Sequence, residues 1–150
     1  MESKSENAAD VFRSGFNCAQ AVFASHAAGF GIPEKDALRI ACGFGGGMGR
    51  LQETCGAVTG AFMLIGCRYG MTEKDDRAAR EKTYARVQEF ADRFAEKNGS
   101  ISCKTLLGCD LQSSEGKKYF NEHDLRETVC VKCVQDAVSI VEHMFHDASR

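Results

Sequence analysis

Thr54-Cys55-Gly56-Ala57-Val58-Thr59-Gly60-Ala61-Phe62-Met63-Leu64-Ile65-Gly66-Cys67-Arg68-Tyr69-Gly70 is the stretch from which the fold of this chain can be read. Thr54 is of the type that caps a helix, the stretch from Cys55 to about Tyr69 reads as that helix, and Gly70 closes it. Ala57, Val58, Ala61, Phe62, Leu64 and Ile65 make it apolar nearly all round. A helix without a polar face belongs at the centre of a fold, covered by others.

Outward from this centre the pattern stays helical. Upstream, Glu6 to Phe16 reads as a lead helix with Ala9, Phe12 and Arg13 spaced along it. Asn17 caps an alanine-rich helix from Cys18 to Ala28, ended by Gly29-Phe30-Gly31-Ile32-Pro33. Glu34 to Cys42 follows, with Ala37, Leu38 and Ala41 turned inward. Gly43-Phe44-Gly45-Gly46-Gly47-Met48-Gly49-Arg50 predicts a loop with several positive-φ positions. Downstream, Thr72 with Asp75 resembles a capping box opening the longest helix, which runs to about Lys97 with Tyr84, Val87, Ala91 and Phe94 on one stripe. Asn98-Gly99 ends it. Ser102 caps a short turn, Cys103 to Leu107, stopped at Gly108. Asp110 to Glu127 is polar and partly loop. Thr128 starts a last helix to about His146, with Ala137, Val138, Val141 and Phe145 inward. No strand, repeat or low-complexity segment is expected. The reading is all-α: a single compact helical domain, residues 1–150, of about five to seven helices around a central apolar one.

The composition agrees. With 150 residues, 43% hydrophobic, 27% charged and one proline, the chain has enough material for one core and few long linkers. A net charge of -2 offers no basic nucleic-acid face. The polar start Met1-Glu2-Ser3-Lys4-Ser5-Glu6 has no apolar signal core, and the best apolar run, Ala57 to Cys67, is too short to span a bilayer. No membrane insertion and a cytoplasmic address are expected.

Eight cysteines stand out at that address. Cytosolic structural disulfides are disfavoured, so the count points to metal binding or redox chemistry, with about half expected to be packing residues. Three cysteines follow a cap-type residue, in Asn17-Cys18, Thr54-Cys55 and Ser102-Cys103. In a first helical turn, free amides and the helix dipole favour thiolate, the form that binds metals and attacks electrophiles. Cys130-Val131-Lys132-Cys133 adds a CxxC. A single close pair does not make a zinc ribbon, the tight ferredoxin run is missing, and Val134 in place of histidine excludes haem attachment. Cys42 and Cys67 read as packing residues. Cys109 reads as an auxiliary thiol or an exposed bystander, and Cys130 as a disulfide partner of Cys133 or a ligand.

The glycine loop matches neither a Walker pattern nor a dinucleotide fingerprint. It either reverses the chain sharply or brings its backbone (Gly45, Gly46, Gly47 and Gly49) close to a cofactor, with Arg50 supplying charge. His26, His123, His143 and His146 form no motif; the last two read as a surface pair.

Asn17-Cys18-Ala19-Gln20-Ala21, Phe44 to Arg50, Cys55-Gly56-Ala57-Val58-Thr59-Gly60, Cys103 and Cys133 together resemble the C_GCAxxG_C_C family of redox-active proteins, over about residues 10 to 145. The resemblance implies Cys18, Cys55, Cys103 and Cys133 as the functional set and an oxidoreductase or electron-transfer partner. Three expectations follow. The four cysteines hold an iron–sulfur cluster or other thiophilic metal for electron transfer, with the glycine loop beside it. Alternatively, they cycle as thiols, with Cys55 the nucleophile. Or the domain is a zinc-stabilised or partner-binding accessory module.

Overall fold

Ser3 opens the first helix, α1 (Lys4–Arg13), through a capping box: its hydroxyl accepts from the Glu6 amide, and the Glu6 carboxylate accepts from the Ser3 amide. Asn17 and Gln20 open α2 (Cys18–Ala27) in the same reciprocal way. The remaining helices are α3 (Glu34–Ala41), α4 (Gly56–Tyr69), α5 (Arg77–Asn98), α6 (Cys103–Leu107), α7 (Ser114–Glu122) and α8 (Val131–Ala148). A wide π-type turn, Arg126–Cys130, runs into α8 without a break. The computed structural model describes residues 3–148; Met1 and Glu2 of the polar N-terminus, with Ser149 and Arg150, lie outside the described residues.

The fold is all-α. Among the described residues there are eight helices and no strand, one helix more than the upper end of the expectation. The added one is α7, inside the polar stretch that reads poorly in sequence. Ser113 caps it by accepting from the Gly116 amide. Gly116 is required there, because the Asp110 backbone occupies the space a Cβ would need.

α4 is the centre, as its composition demands. Every residue from Gly56 to Ala61 is buried, with Leu64 and Ile65. Its last turn leaves the core, so Cys67 and Arg68 are exposed. α2 lies against it at very close range. A Cβ on Gly60 would stand 3.0 Å from the Ala19 carbonyl and 3.1 Å from Val22 Cβ, and one on Gly56 2.9 Å from the Phe44 carbonyl. α5 covers another side through Phe90 and Phe94, which stack with centroids 6.0 Å apart, while Phe62 of α4 meets Phe90 edge-on at 5.9 Å. Ala137, Val138 and Val141 of α8 are fully buried, as expected.

Several boundaries differ from the sequence reading. α1 starts and ends earlier than Glu6 and Phe16, because the Ser3 box nucleates it and Gly15 at φ +128 turns the chain. Asp76, not the Thr72–Asp75 pair, caps α5 by accepting from the Ala79 amide. Tyr84 is 55% exposed rather than inward: α5 has 22 residues against 14 in α4, so its first turns overhang the core. Thr128 does not start the last helix, because the chain is already turning from Arg126.

Two glycines of α4 separate close packing from mere helix propensity. Gly60→Ala is expected to lower unfolding free energy by about 1–3 kcal/mol in urea titrations, through the forced clash with α2. At Gly66 a Cβ would meet nothing within 4 Å. The sign there is opposite: Gly66→Ala raises stability by about 0.5–1 kcal/mol.

Candidate functional site

Three helix starts and one turn converge on a single cavity. The α2 start is fixed by the Asn17–Gln20 box and by two side-chain amides that reach across to α3: Asn17 Nδ2 donates to the Cys42 carbonyl and Gln20 Nε2 to the Leu38 carbonyl. This places Cys18 as the first residue of α2. Gly45 packs directly on the Asn17 side chain, so the glycine loop begins against this cap.

The loop is more contorted than its glycines alone require. Gly46, Gly47 and Gly49 have positive φ, and so do Met48, Arg50 and Gln52 (φ 68, 66 and 56). Left-handed non-glycine residues cost energy, so the surroundings must hold them. Gln52 shows how. Its side chain is buried and saturated: Nε2 donates to the Cys109 carbonyl at 2.9 Å, and Oε1 accepts from the Leu111 amide at 2.7 Å. Sequence reasoning missed Gln52; one glutamine near a glycine run carries no signal of this kind.

A two-residue backbone bridge then joins the α4 and α6 starts. The Cys55 amide donates to the Ile101 carbonyl and the Cys103 amide to the Glu53 carbonyl, both at 2.7 Å, around an antiparallel Thr54–Ser102 pair. Ser102 caps α6 as expected, with Cys103 next. Thr54 is spent on the bridge, so Cys55 itself is the cap residue of α4 and the helix begins one residue later than expected. Gly47 fits beneath this bridge because it lacks a Cβ, which would lie 2.6 Å from Cys103 Cβ.

The CxxC enters from the other side. Cys130 closes the Arg126–Cys130 turn and Cys133 stands in the first turn of α8. The two do not pair with each other. Cys133 instead neighbours Cys55, and Cys130 neighbours Cys18. All eight cysteines are free thiols.

These partners sort the acidities. Cys55 lies below the ordinary thiol value, chiefly through the Cys133 hydrogen bond, against the opposing effect of burial. It closes no formal side-chain cap bond, yet the Ala57 and Val58 amides of the α4 start also lower it. Cys133, the other member of that pair, is raised. Cys130 is lowered by its bond with Cys18, with help from the Arg126 charge. Cys18 is raised by that same bond and by burial. Burial pushes Cys103 up to about 12. The expectation that all three cap-adjacent cysteines favour thiolate therefore holds for Cys55 alone: the Cys130 interaction, with burial, outweighs the helix start at Cys18, and loss of water outweighs it at Cys103.

The cavity has a volume of about 510 Å³, within the range of small-molecule sites. Cys18, Cys55, Cys103, Cys130 and Cys133 all line it. Gly46, Gly47 and Arg50 line it too, while Gly45 and Gly49 do not. Leu107, Leu111 and Phe120 form an apolar far wall, part of a second small core around Cys103, Leu107 and Leu125. Arg126, also unforeseen, braces the near side: its Nη2 donates to the Phe12 carbonyl at 2.6 Å, and its guanidinium lies 3.9 Å from the Phe12 ring centroid. No histidine lines the cavity. Cys42 and Cys67, expected to pack inside, are exposed instead, at the surface ends of α3 and α4. Cys109 is half-buried beside the second core. Among the described residues, no group of three or more His, Cys, Asp or Glu is arranged to hold a metal ion. No helix among them is long and apolar enough to cross a membrane.

An all-helical protein with five thiols around one cavity belongs to a cysteine-centred class. The chain is a member of the C_GCAxxG_C_C family, described as "Putative redox-active protein (C_GCAxxG_C_C)", whose profile matches residues 16–144. No curated protein and no solved structure matches it significantly.

Gln52→Leu leaves the Leu111 amide and Cys109 carbonyl without their partner and should cost about 1–3 kcal/mol in urea unfolding. The Cys103 thiol sets an alkaline limit. Its folded pKa, about 12, exceeds the ordinary 9.0, so the fold holds this proton more tightly than the unfolded chain does. The stability it contributes is complete below the lower value and is lost as pH rises towards the higher one. Cys103→Ala is expected to lose less stability than the parent between urea titrations run below and above pH 9.0.

Proposed function

We propose that this chain is a thiol-based redox protein in which Cys55 and Cys133 cycle between dithiol and disulfide. The observation that carries the reading is the gathering of Cys18, Cys55, Cys103, Cys130 and Cys133 as free thiols on one cavity, with Cys133 neighbouring Cys55 at the start of α4. A thiol beside an activated thiolate is the arrangement that thiol–disulfide exchange requires. Oxidation joins the two sulfurs and releases two electrons and two protons; the electrons go to an oxidised partner, an oxidoreductase or another electron-transfer protein. Cys18 and Cys103, with Cys130, flank the pair and shield it from water. The 1–150 domain works in the cytoplasm in this reading, where thiols are kept reduced.

A second reading is favoured by a different observation. Among residues of the usual metal-ligating types, only cysteines line the cavity, without histidine or carboxylate. Thiolates are the ligand type of an iron–sulfur cluster or another thiophilic metal for electron transfer, although as placed the described residues form no ready metal-holding group. Cys18, Cys55, Cys103 and Cys133 would be its ligands, the Gly46 and Gly47 backbone would pack beside it, and Arg50 would offset its negative charge.

Anaerobic purification followed by elemental analysis and alkylation decides between them. For the thiol reading, iodoacetamide modifies Cys55 first, at a pH below the ordinary thiol pKa, and mild oxidation gives a Cys55–Cys133 cross-link by peptide mass spectrometry. Near-stoichiometric iron and sulfide, lost in Cys18→Ser and Cys103→Ser, would transfer the assignment to the cluster. Uniformly slow alkylation with no cross-link would sink the thiol reading.

A further inference from the structure

The cavity is charged in one sense only. Arg50, Lys117 and Arg126 line it, and no aspartate or glutamate does. This is not a reflection of composition, since the chain has 21 acidic and 19 basic residues. Nor are these three cations neutralised elsewhere: none takes part in a salt bridge among the described residues. Arg126 spends its hydrogen bonds on the Phe12 and Phe16 carbonyls and rests on the Phe12 ring, all neutral partners. Lys117 is exposed on α7, and Arg50 is held on the opposite loop in a left-handed conformation. Positive charge therefore comes from three separate elements around one opening, with thiols at its base and Leu107, Leu111 and Phe120 on its far wall. Low-dielectric walls of one sign focus the field and concentrate ligands of the opposite sign.

We propose that the cavity admits a small organic disulfide bearing carboxylate groups, with its anionic ends towards Arg50, Lys117 and Arg126 and its carbon chain along the apolar wall. The proposal rests on the thiol-exchange reading above and names its substrate class. The Cys55 thiolate attacks one sulfur of the substrate; that S–S bond breaks, a Cys55–substrate mixed disulfide forms and one substrate thiolate leaves. Cys133 gives its proton to that leaving thiolate and attacks the Cys55 sulfur, which forms the Cys55–Cys133 disulfide and releases the second thiolate, protonated by solvent. The substrate gains two electrons and the protein loses two. A dithiol reductant resets the protein by the reverse exchange.

Single-turnover oxidation of the reduced full chain tests this with three probes of similar size: 3,3′-dithiodipropionate (anionic), bis(2-hydroxyethyl) disulfide (neutral) and cystamine (cationic). Formation of the Cys55–Cys133 disulfide is followed by mass spectrometry, and each rate is divided by that of the same probe with a free dithiol. The anionic probe should react at least about tenfold faster than the neutral one, and the cationic probe more slowly still. Added salt and Lys117→Glu, a change at an exposed position, should each reduce the anionic-to-neutral ratio severalfold. Equal normalised rates, or a ratio that Lys117→Glu and salt leave unchanged, would overturn the charge selection while leaving the thiol reading in place. Failure of all three probes to generate the protein disulfide would remove the thiol reading itself.

Discussion

The close approach of α2 to α4 underlies everything else in this molecule. It exists because Gly56 and Gly60 present no Cβ to Ala19, Val22 and the Phe44 carbonyl. Side chains at those positions would hold the helices further apart, and Cys18 would no longer stand beside the α4 start. The Thr54–Ser102 bridge performs the same service for α6, clamping the amides of Cys55 and Cys103 to opposite sides of one short backbone pairing. Three helix starts are thus gathered by close backbone approach, with the Asn17 and Gln20 side chains fixing the first of them. The side chains that follow, Gln52 above all, lock the strained loop that closes the floor.

Within this frame the chemistry is set by a competition between hydration and partnership. Helix starts favour negative charge by an amount that burial readily cancels. Cys103 has the start but loses the water, and stays protonated. Cys55 loses water too, yet gains a neighbouring thiol and two amides, and comes out more acidic. Cys130, which closes a turn rather than opening a helix, is favoured by the same logic through Cys18 and Arg126. The pairing of thiols therefore matters more than the position of any one of them along a helix.

Much of the fold was legible in the sequence. α4 announced itself by an apolar surface that no amphipathic neighbour shares, and Asn17, Ser102, Gly99 and Gly108 marked their boundaries through capping chemistry that is local. α7 did not, because its apolar contribution is slight and its Gly116 is dictated by the Asp110 backbone, a contact outside its own helix. Cys42 and Cys67 looked like core residues by type, but exposure depends on which side of a helix its neighbours cover, and on where that helix leaves the core.

Residue type and spacing within short segments were enough for the helical class, the central position of α4, the left-handed glycine loop and the concentration of cysteines at helix starts. Assembly of the helices was needed to show that the two cysteines of the CxxC face different partners and that Gln52 and Arg126 belong to the site. It was needed, too, to single out Cys55 rather than Cys18 or Cys103 as the acidic thiol near a helix start. Those outcomes depend on contacts between residues far apart in the chain, and on how much water each sulfur loses when the helices close around it.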